Sequence, residues 1–193
     1  MKVLIIGVGG LGSWLVDLFQ HGYDNEQIPL DYELHIADPD TVEIKNIKFQ
    51  NFVENDIMDY KTAALRKRYN CIAGTRTVEV DTRLLKNYDF FIIAADNFKI
   101  RQEVFEHCHK YKKEYIDLRA EGRLYMAKVK ELNLADDLNT IDIKDTAHGS
   151  CQRQEDLDYG RIQYSNRIVS AIGFQMFLNW TRNITNKTII QII

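Results

Sequence analysis

The sequence is short of several things, and each shortage removes a class of answer. No stretch approaches the roughly eighteen consecutive apolar residues of a membrane span. Met1 to Ile6 runs straight into glycines instead of into the apolar core and cleavage site of a signal peptide, so a cytoplasmic protein without a membrane is expected. Cysteine occurs only three times, at Cys71, Cys108 and Cys151, with no C-x-x-C pair. An odd, dispersed set supports neither a disulfide framework nor a four-cysteine zinc site. Positive charge is not in excess: 25 Lys and Arg stand against 28 Asp and Glu, for a formal net charge of -3. Nucleic acid is therefore not an expected partner. There is no internal repeat and no low-complexity linker, and 193 residues with 45% hydrophobic and 27% charged side chains suit one packed domain spanning residues 1–193.

What is present alternates between strand and helix signals. Val3-Leu4-Ile5-Ile6 is a continuous apolar run, as expected of a parallel strand buried on both faces. Leu11, Trp14, Leu15, Leu18 and Phe19 then recur at helical spacing up to about Gln20. Glu33 to Ala37 predicts a second strand, closed by Asp38-Pro39-Asp40. Val42 to Asn55 lacks periodicity and reads as loop and turns, Asp56 to Tyr69 as helix, and Thr77 to Val80 as a third strand. Asp89 to Ala95 gives the strongest strand signal, followed by a helix from Phe98 to Tyr111 and strands at Glu114 to Leu118 and Arg123 to Leu132. Residues 135–160 are polar and acidic and read as a crossover loop. The segment from Ile162 to Trp180 is apolar on most sides and predicts a closing helix, packed on the sheet or on a second copy of the chain. The expected fold is a Rossmann-like, doubly wound α/β domain: a mostly parallel sheet, helices on both faces and a C-terminal antiparallel extension.

Gly7-Val8-Gly9-Gly10-Leu11-Gly12 falls between the first strand and the first helix, and Gly7, Gly9 and Gly12 satisfy G-x-G-x-x-G in the context that motif requires. Glycine lets backbone N–H groups approach phosphate oxygens, and the helix start adds partial positive charge. The same glycines also serve tight strand-to-helix packing alone. Asp38, at the end of the second strand, stands where an acidic residue meets ribose hydroxyls. On these features alone an NAD-dependent oxidoreductase is a possible reading.

The residues after Asp38 point elsewhere. Asp38-Pro39-Asp40-Thr41-Val42-Glu43-Ile44-Lys45-Asn46-Ile47-Lys48-Phe49-Gln50 resembles the D-x-D-x-V-x-x-S-N-L-N-R-Q stretch of the ThiF/MoeB/HesA family, the ubiquitin-activating-enzyme-like adenylyltransferases. Gly7 to Ser13 resembles that family's G-x-G-G-L-G-S, Lys61 lies where it carries a phosphate-binding lysine, and Ala95-Asp96-Asn97 with Arg101 resembles its A-x-D-N-x-x-x-R. The likeness runs in order from Lys2 to Gly122. It implies an enzyme that binds ATP and Mg²⁺ and adenylates the C-terminal carboxylate of a small ubiquitin-like or sulfur-carrier protein, generally as a homodimer. It further implies that Gly7, Gly9, Gly10 and Gly12 cradle phosphate, that Asp38 holds the ribose, and that Asp40, Asn46, Lys48, Gln50 and Asn97 line the nucleotide. Lys61 would neutralise phosphate charge, Asp96 would anchor Mg²⁺, and Cys151 would stand where some relatives carry a transfer cysteine.

The sequence departs from the family pattern at one charged position. Phe49 replaces an arginine, with Lys48 and Lys45 close by. The sequence also opens on the first strand, without the preceding helical segment of relatives, and lacks their zinc-binding C-x-x-C pairs. A nucleotide-binding or scaffold module that has lost catalysis is the alternative those departures leave open. Duller roles exist for single residues: Asp96 as a helix cap, and Arg101 as a brace through a carboxylate such as Asp117. Cys71 and Cys108 read as packing residues on helices. His107-Cys108-His109 is not a metal cluster, because successive helical residues point in different directions. The adenylation reading requires that Asp38, Lys61 and Asp96 converge on the glycine turn.

Overall fold

The structure, a computed structural model, describes residues 1–78, 80–121, 124–131, 133–139, 159 and 164–192. Its strands are β1 (Lys2–Ile6), β2 (Glu33–Ala37), β3 (Ile72–Arg76), β4 (Phe90–Ile93), β5 (Glu114–Glu121), β6 (Leu124–Val129) and β7 (Ile189–Ile192). The helices are α1 (Gly12–Asp24), α2 (Lys61–Arg68), α3 (Thr82–Leu85), α4 (Phe98–Tyr111), α5 (Leu134–Asn139) and α6 (Ser165–Thr181). The strands form one sheet in the order β3-β2-β1-β4-β5-β6-β7. Pairing from β3 to β5 is parallel, while β5–β6 and β6–β7 are antiparallel. This is the doubly wound sheet with an antiparallel extension that the alternating signals predict.

The apolar runs explain the centre. Along β1 the side chains alternate, so Val3 and Ile5 enter a core under α1, α2 and α6, while Leu4 and Ile6 enter a second core under α3 and α4. α1 contributes Leu15, Val16 and Phe19 to the first core, and α6 adds Val169, Phe174, Phe177 and Leu178. Phe177 meets Phe19 at 4.8 Å between ring centroids and Phe90 at 5.7 Å. Most apolar side chains of α6 thus pack within this chain, while Ile168 stays exposed.

Several boundaries differ from expectation for identifiable reasons. The third strand is Ile72–Arg76, not Thr77 to Val80. Its Ala-Gly-Thr run carries a weak strand signal because Gly74 lies against the His35 ring, where a Cβ would come within 2.4 Å of Nδ1. Helix α2 starts at Lys61, not near Asp56: Glu54–Asp56 forms a 3-10 turn, Met58 has a positive φ of 73°, and Tyr60 bridges Thr41. Leu134–Asn139, expected as the start of a loop, is helical, and Cys71 precedes β3 in a turn instead of lying on a helix. Strand β7 and the short α3 have no counterpart in the sequence reading. Buried ion pairs on the α4–α5 side were also not legible in advance: Lys128 meets Asp137 at 2.9 Å, and His109 approaches the same carboxylate at 2.5 Å. His107 instead packs on Phe91 and Cys108 enters the core, so the three neighbours diverge.

Candidate functional site

The strand order reverses direction between β1 and β4, and open α/β sheets bind ligands beyond the carboxyl ends of strands at such a switch point. The glycine turn leaves β1 there. Gly7 has a φ of +84°, and a Cβ on it would lie 2.7 Å from the backbone of Ala95. A Cβ on Gly12 would lie 2.0 Å from the Gly7 carbonyl oxygen. The turn is therefore folded tightly on itself and against the end of β4, as only glycine permits. A Cβ at Gly9, by contrast, would meet only the Gln50 amide, at 3.9 Å.

Asp38 closes one side. It is 6% exposed; its Oδ2 accepts the Val8 N–H at 2.8 Å and its Oδ1 accepts the Asp40 N–H at 2.9 Å. A carboxylate offers about four acceptor sites, so capacity remains on both oxygens. Burial pushes the Asp38 pKa above its ordinary value, against the opposing pull of Lys61 and the two N–H donors. Lys61, at the start of α2, is also buried, and its Nζ lies 2.7 Å from Asp40 Oδ2 and 4.0 Å from Asp38 Oδ1. Lys61 is thus an inward-facing cation rather than one more charge on a solvated helix face.

Asp96 closes the other side. It follows Ala95, whose backbone touches Gly7, and it is exposed, with no hydrogen bond or ion pair among the described residues. The cap of α4 is its neighbour Asn97, whose Oδ1 accepts the Ile100 N–H at 3.4 Å. Arg101 donates to the Ala95 carbonyl and pairs with Asp117, which is fully buried and also held by Arg119 at 2.6 Å. Arg101 is therefore a brace, and what it braces is the backbone carrying Asp96.

The segment after the second strand is strapped to the start of α1. Trp14 Nε1 donates to the Phe49 carbonyl at 3.1 Å, the Asn51 N–H donates to Ser13 Oγ at 3.0 Å, and Ser13 Oγ donates to the Gly9 carbonyl at 2.6 Å. These bonds hold Gln50 against Gly9, and Gln50 Oε1 is buried without a partner among the described residues. Asn46 is less free than the sequence implies, since its Oδ1 accepts the Glu43 N–H at 2.8 Å and closes a 3-10 turn. Lys45 pairs with Glu43 at 2.9 Å, whereas Lys48 is exposed and enters no ion pair among the described residues. The straps formed by Trp14, Ser13 and Asn51, and the Asp117–Arg119 pair, were missed from sequence because none belongs to a pattern with its own spacing.

Backbone N–H groups at a helix start and a buried lysine fit a phosphate-bearing ligand, and the Gln50 acceptor beside the open Gly9 suits a hydrogen-bond donor on the same ligand. Among the described residues no group of three or more His, Cys, Asp and Glu side chains could hold a metal alone. A divalent ion would sit here as Mg²⁺ usually does, on one carboxylate and the phosphates. Cys151 lies outside the described residues. The two described cysteines are poor nucleophiles, since burial pushes the Cys71 thiol up to about 12 and raises that of Cys108 as well. No helix among the described residues is long and apolar enough to cross a membrane.

Known proteins share this fold. The crystal structure of E. coli MccB with ATP superposes on all of this chain with a TM-score of 0.69 at 19% identity, the chain covering 60% of MccB. PaaA gives 0.68 at 16% identity, again with 60% covered. A tRNA threonylcarbamoyladenosine dehydratase from Haemophilus influenzae is 27% identical over 132 residues, which are 62% of this chain and 48% of that protein. The chain therefore spans about half the length of that curated relative. The ThiF family model matches residues 1–187. With the match running through almost the whole sequence and the glycine turn, Asp38, Lys61 and Asp96 gathered at one sheet edge, this chain belongs to the ThiF family.

Proposed function

We propose that the protein is an ATP-dependent adenylyltransferase that activates the C-terminal carboxylate of a small ubiquitin-like or sulfur-carrier protein. The observation that carries this reading is the convergence of Asp38, Lys61 and the Asp96 loop on the glycine turn. In the reaction, a carboxylate oxygen of the carrier attacks the α-phosphorus of ATP, the bond to the β-phosphate oxygen breaks, and pyrophosphate leaves with its electron pair. The product is an acyl adenylate. Backbone N–H groups of Gly9 to Gly12 would face phosphate oxygens, Asp38 would accept from ribose hydroxyls, and Lys61 would turn from Asp40 toward developing phosphate charge. Mg²⁺ would supply charge neutralisation on the phosphates, with Asp96 as its protein ligand. Gln50, held at Gly9 with a free acceptor, would orient a donor on the bound ligand, and Gly10, Asp40, Asn46, Lys48 and Asn97 would complete the walls. Cys151 is the proposed acceptor if the acyl group moves on to a thiol with release of AMP.

The fold of MccB, solved with ATP and with MccA, supports a nucleotide and a second substrate meeting on this scaffold. The dehydratase relative acts, by its name, on a tRNA nucleoside; the net charge of -3 weighs against such a substrate here. ATP–pyrophosphate exchange with candidate carriers tests the proposal. Wild-type protein should exchange label, and Asp96→Ala should lose about 100-fold in rate. Exchange that persists unchanged in Asp96→Ala removes Asp96 from the chemistry.

One observation favours a second reading. Phe49 brings no charge to the site, and Lys61 is already held by Asp38 and Asp40. A nucleotide-binding module without turnover would bind Mg-ATP in calorimetry yet exchange no pyrophosphate with any carboxylate supplied.

A further inference from the structure

Resting on the adenylation reading, which places a triphosphate at the glycine turn, the local charge balance raises a question. Asp38, Asp40 and Asp96 outnumber Lys61, and Lys61 is already held by two of them. A tetra-anionic ligand needs more positive charge than this. Arg167, in the first turn of α6, lies nearby. Its guanidinium carbon is 3.8 Å from the centroid of the Trp14 ring and 5.3 Å from that of Tyr164, and it forms no ion pair among the described residues. Trp14 is the third residue of α1 and binds the carbonyl of Phe49 through its indole N–H. The arginine is thus stacked on the side chain that joins the glycine-turn helix to the Phe49 segment.

The next turn of α6 is seated against the glycine turn. Ser170 Oγ lies 2.9 Å from the Leu11 carbonyl oxygen and 2.7 Å from that of Asn166. Asn166 is 2% exposed and Ser165 is 3% exposed, yet both amide atoms of Asn166 and the Ser165 hydroxyl lack a partner among the described residues. Buried polar atoms left unpaired cost free energy unless something bonds them, so such a cluster marks a place where a ligand or ordered water belongs.

We propose that the first turn of α6 is a further wall of the nucleotide site and that Arg167, held over Trp14, is the residue that contacts the β- and γ-phosphates. Its planar fork suits phosphate oxygens, and stacking on an indole limits the conformations it must surrender on binding. Lys48, exposed in the turn after the 3-10 helix Ile44–Asn46, has no comparable platform. The assignment makes Arg167 a determinant of triphosphate over monophosphate, whereas Asp38 serves both through the ribose.

Calorimetry on the full chain with Mg-ATP and with AMP separates the cases. Arg167→Ala should weaken ATP by about 30-fold while leaving AMP within about twofold, and Arg167→Lys should recover part of the loss. Arg182→Ala, at the far end of α6, should leave both affinities and their ratio near those of the wild type. Arg167 is exposed, so these variants should melt like the wild type. An unchanged ratio in Arg167→Ala, or a ratio that collapses in Arg182→Ala as well, overturns the assignment. Wild-type protein that binds Mg-ATP with this arginine-dependent ratio but never exchanges pyrophosphate removes the adenylation reading and leaves the assignment standing. Wild-type protein that binds no ATP overturns both.

Discussion

At the scale of single residues, Asp38 is a carboxylate whose environment opposes its charged form: burial raises its pKa despite a lysine at 4.0 Å. The sign of the resulting pH dependence follows. A carboxyl whose folded pKa is raised carries no penalty below its ordinary value of 3.8, and the penalty grows as pH rises from there through the folded pKa. Asp38→Asn should therefore raise the melting temperature of the unliganded protein near about pH 7, the gain shrinking toward zero near about pH 4, while ATP binding is lost. Asp40 remains to hold Lys61 in that variant, at 2.7 Å. A melting point that falls at neutral pH would contradict the account. Gly7→Ala tests backbone shape: a φ of +84° and the overlap with Ala95 should cost about 3 kcal/mol in urea unfolding. Both positions were legible in the sequence because the chemistry demands a fixed residue type at a fixed offset from a strand end. Arg167 was not, because its relation to the turn exists only after 150 or so intervening residues have folded.

At the scale of elements, the helices and strands whose apolar pattern faces a core directly were readable, and those set by a neighbour were not. β2 and α4 match expectation to the residue, since alternation and caps act locally. β3 was misplaced because its glycine serves the His35 ring, and α2 was begun too early because a positive φ at Met58 interrupts a helical pattern. Seating of α6 depends on a similar concession: a Cβ at Gly173 would come within 2.6 Å of Leu118 on β5. Gly173→Val should destabilise the protein by about 2 kcal/mol through overpacking, whereas Ala171→Val on the exposed side of the same helix should be close to neutral. Equal losses in urea titrations would mean that the helix responds to the branched side chain itself rather than to its contact with the sheet.

At the scale of the whole molecule, α6 joins the last part of the chain to the first. It packs on α1, β5 and β6, and its aromatic side chains share a core with β1 and β4. One cooperative unit over residues 1–193 is the expectation. Trp14 and Trp180, on α1 and α6, should report the same urea midpoint as far-ultraviolet circular dichroism, and Mg-ATP at about 100 times its Kd should raise stability by about 2.7 kcal/mol. Two separated transitions would divide the domain and place α6 outside the nucleotide-binding unit.

The hydrogen-bond contact between Ser170 and Leu11 spans 159 positions. A ribosome releases the amino terminus first, so the glycine turn emerges long before the helix that buttresses it. During that interval the early strands and their glycine turn lack a flank of their core. The order of synthesis thereby delays completion of the cradle at the end of β1 until α6 has emerged.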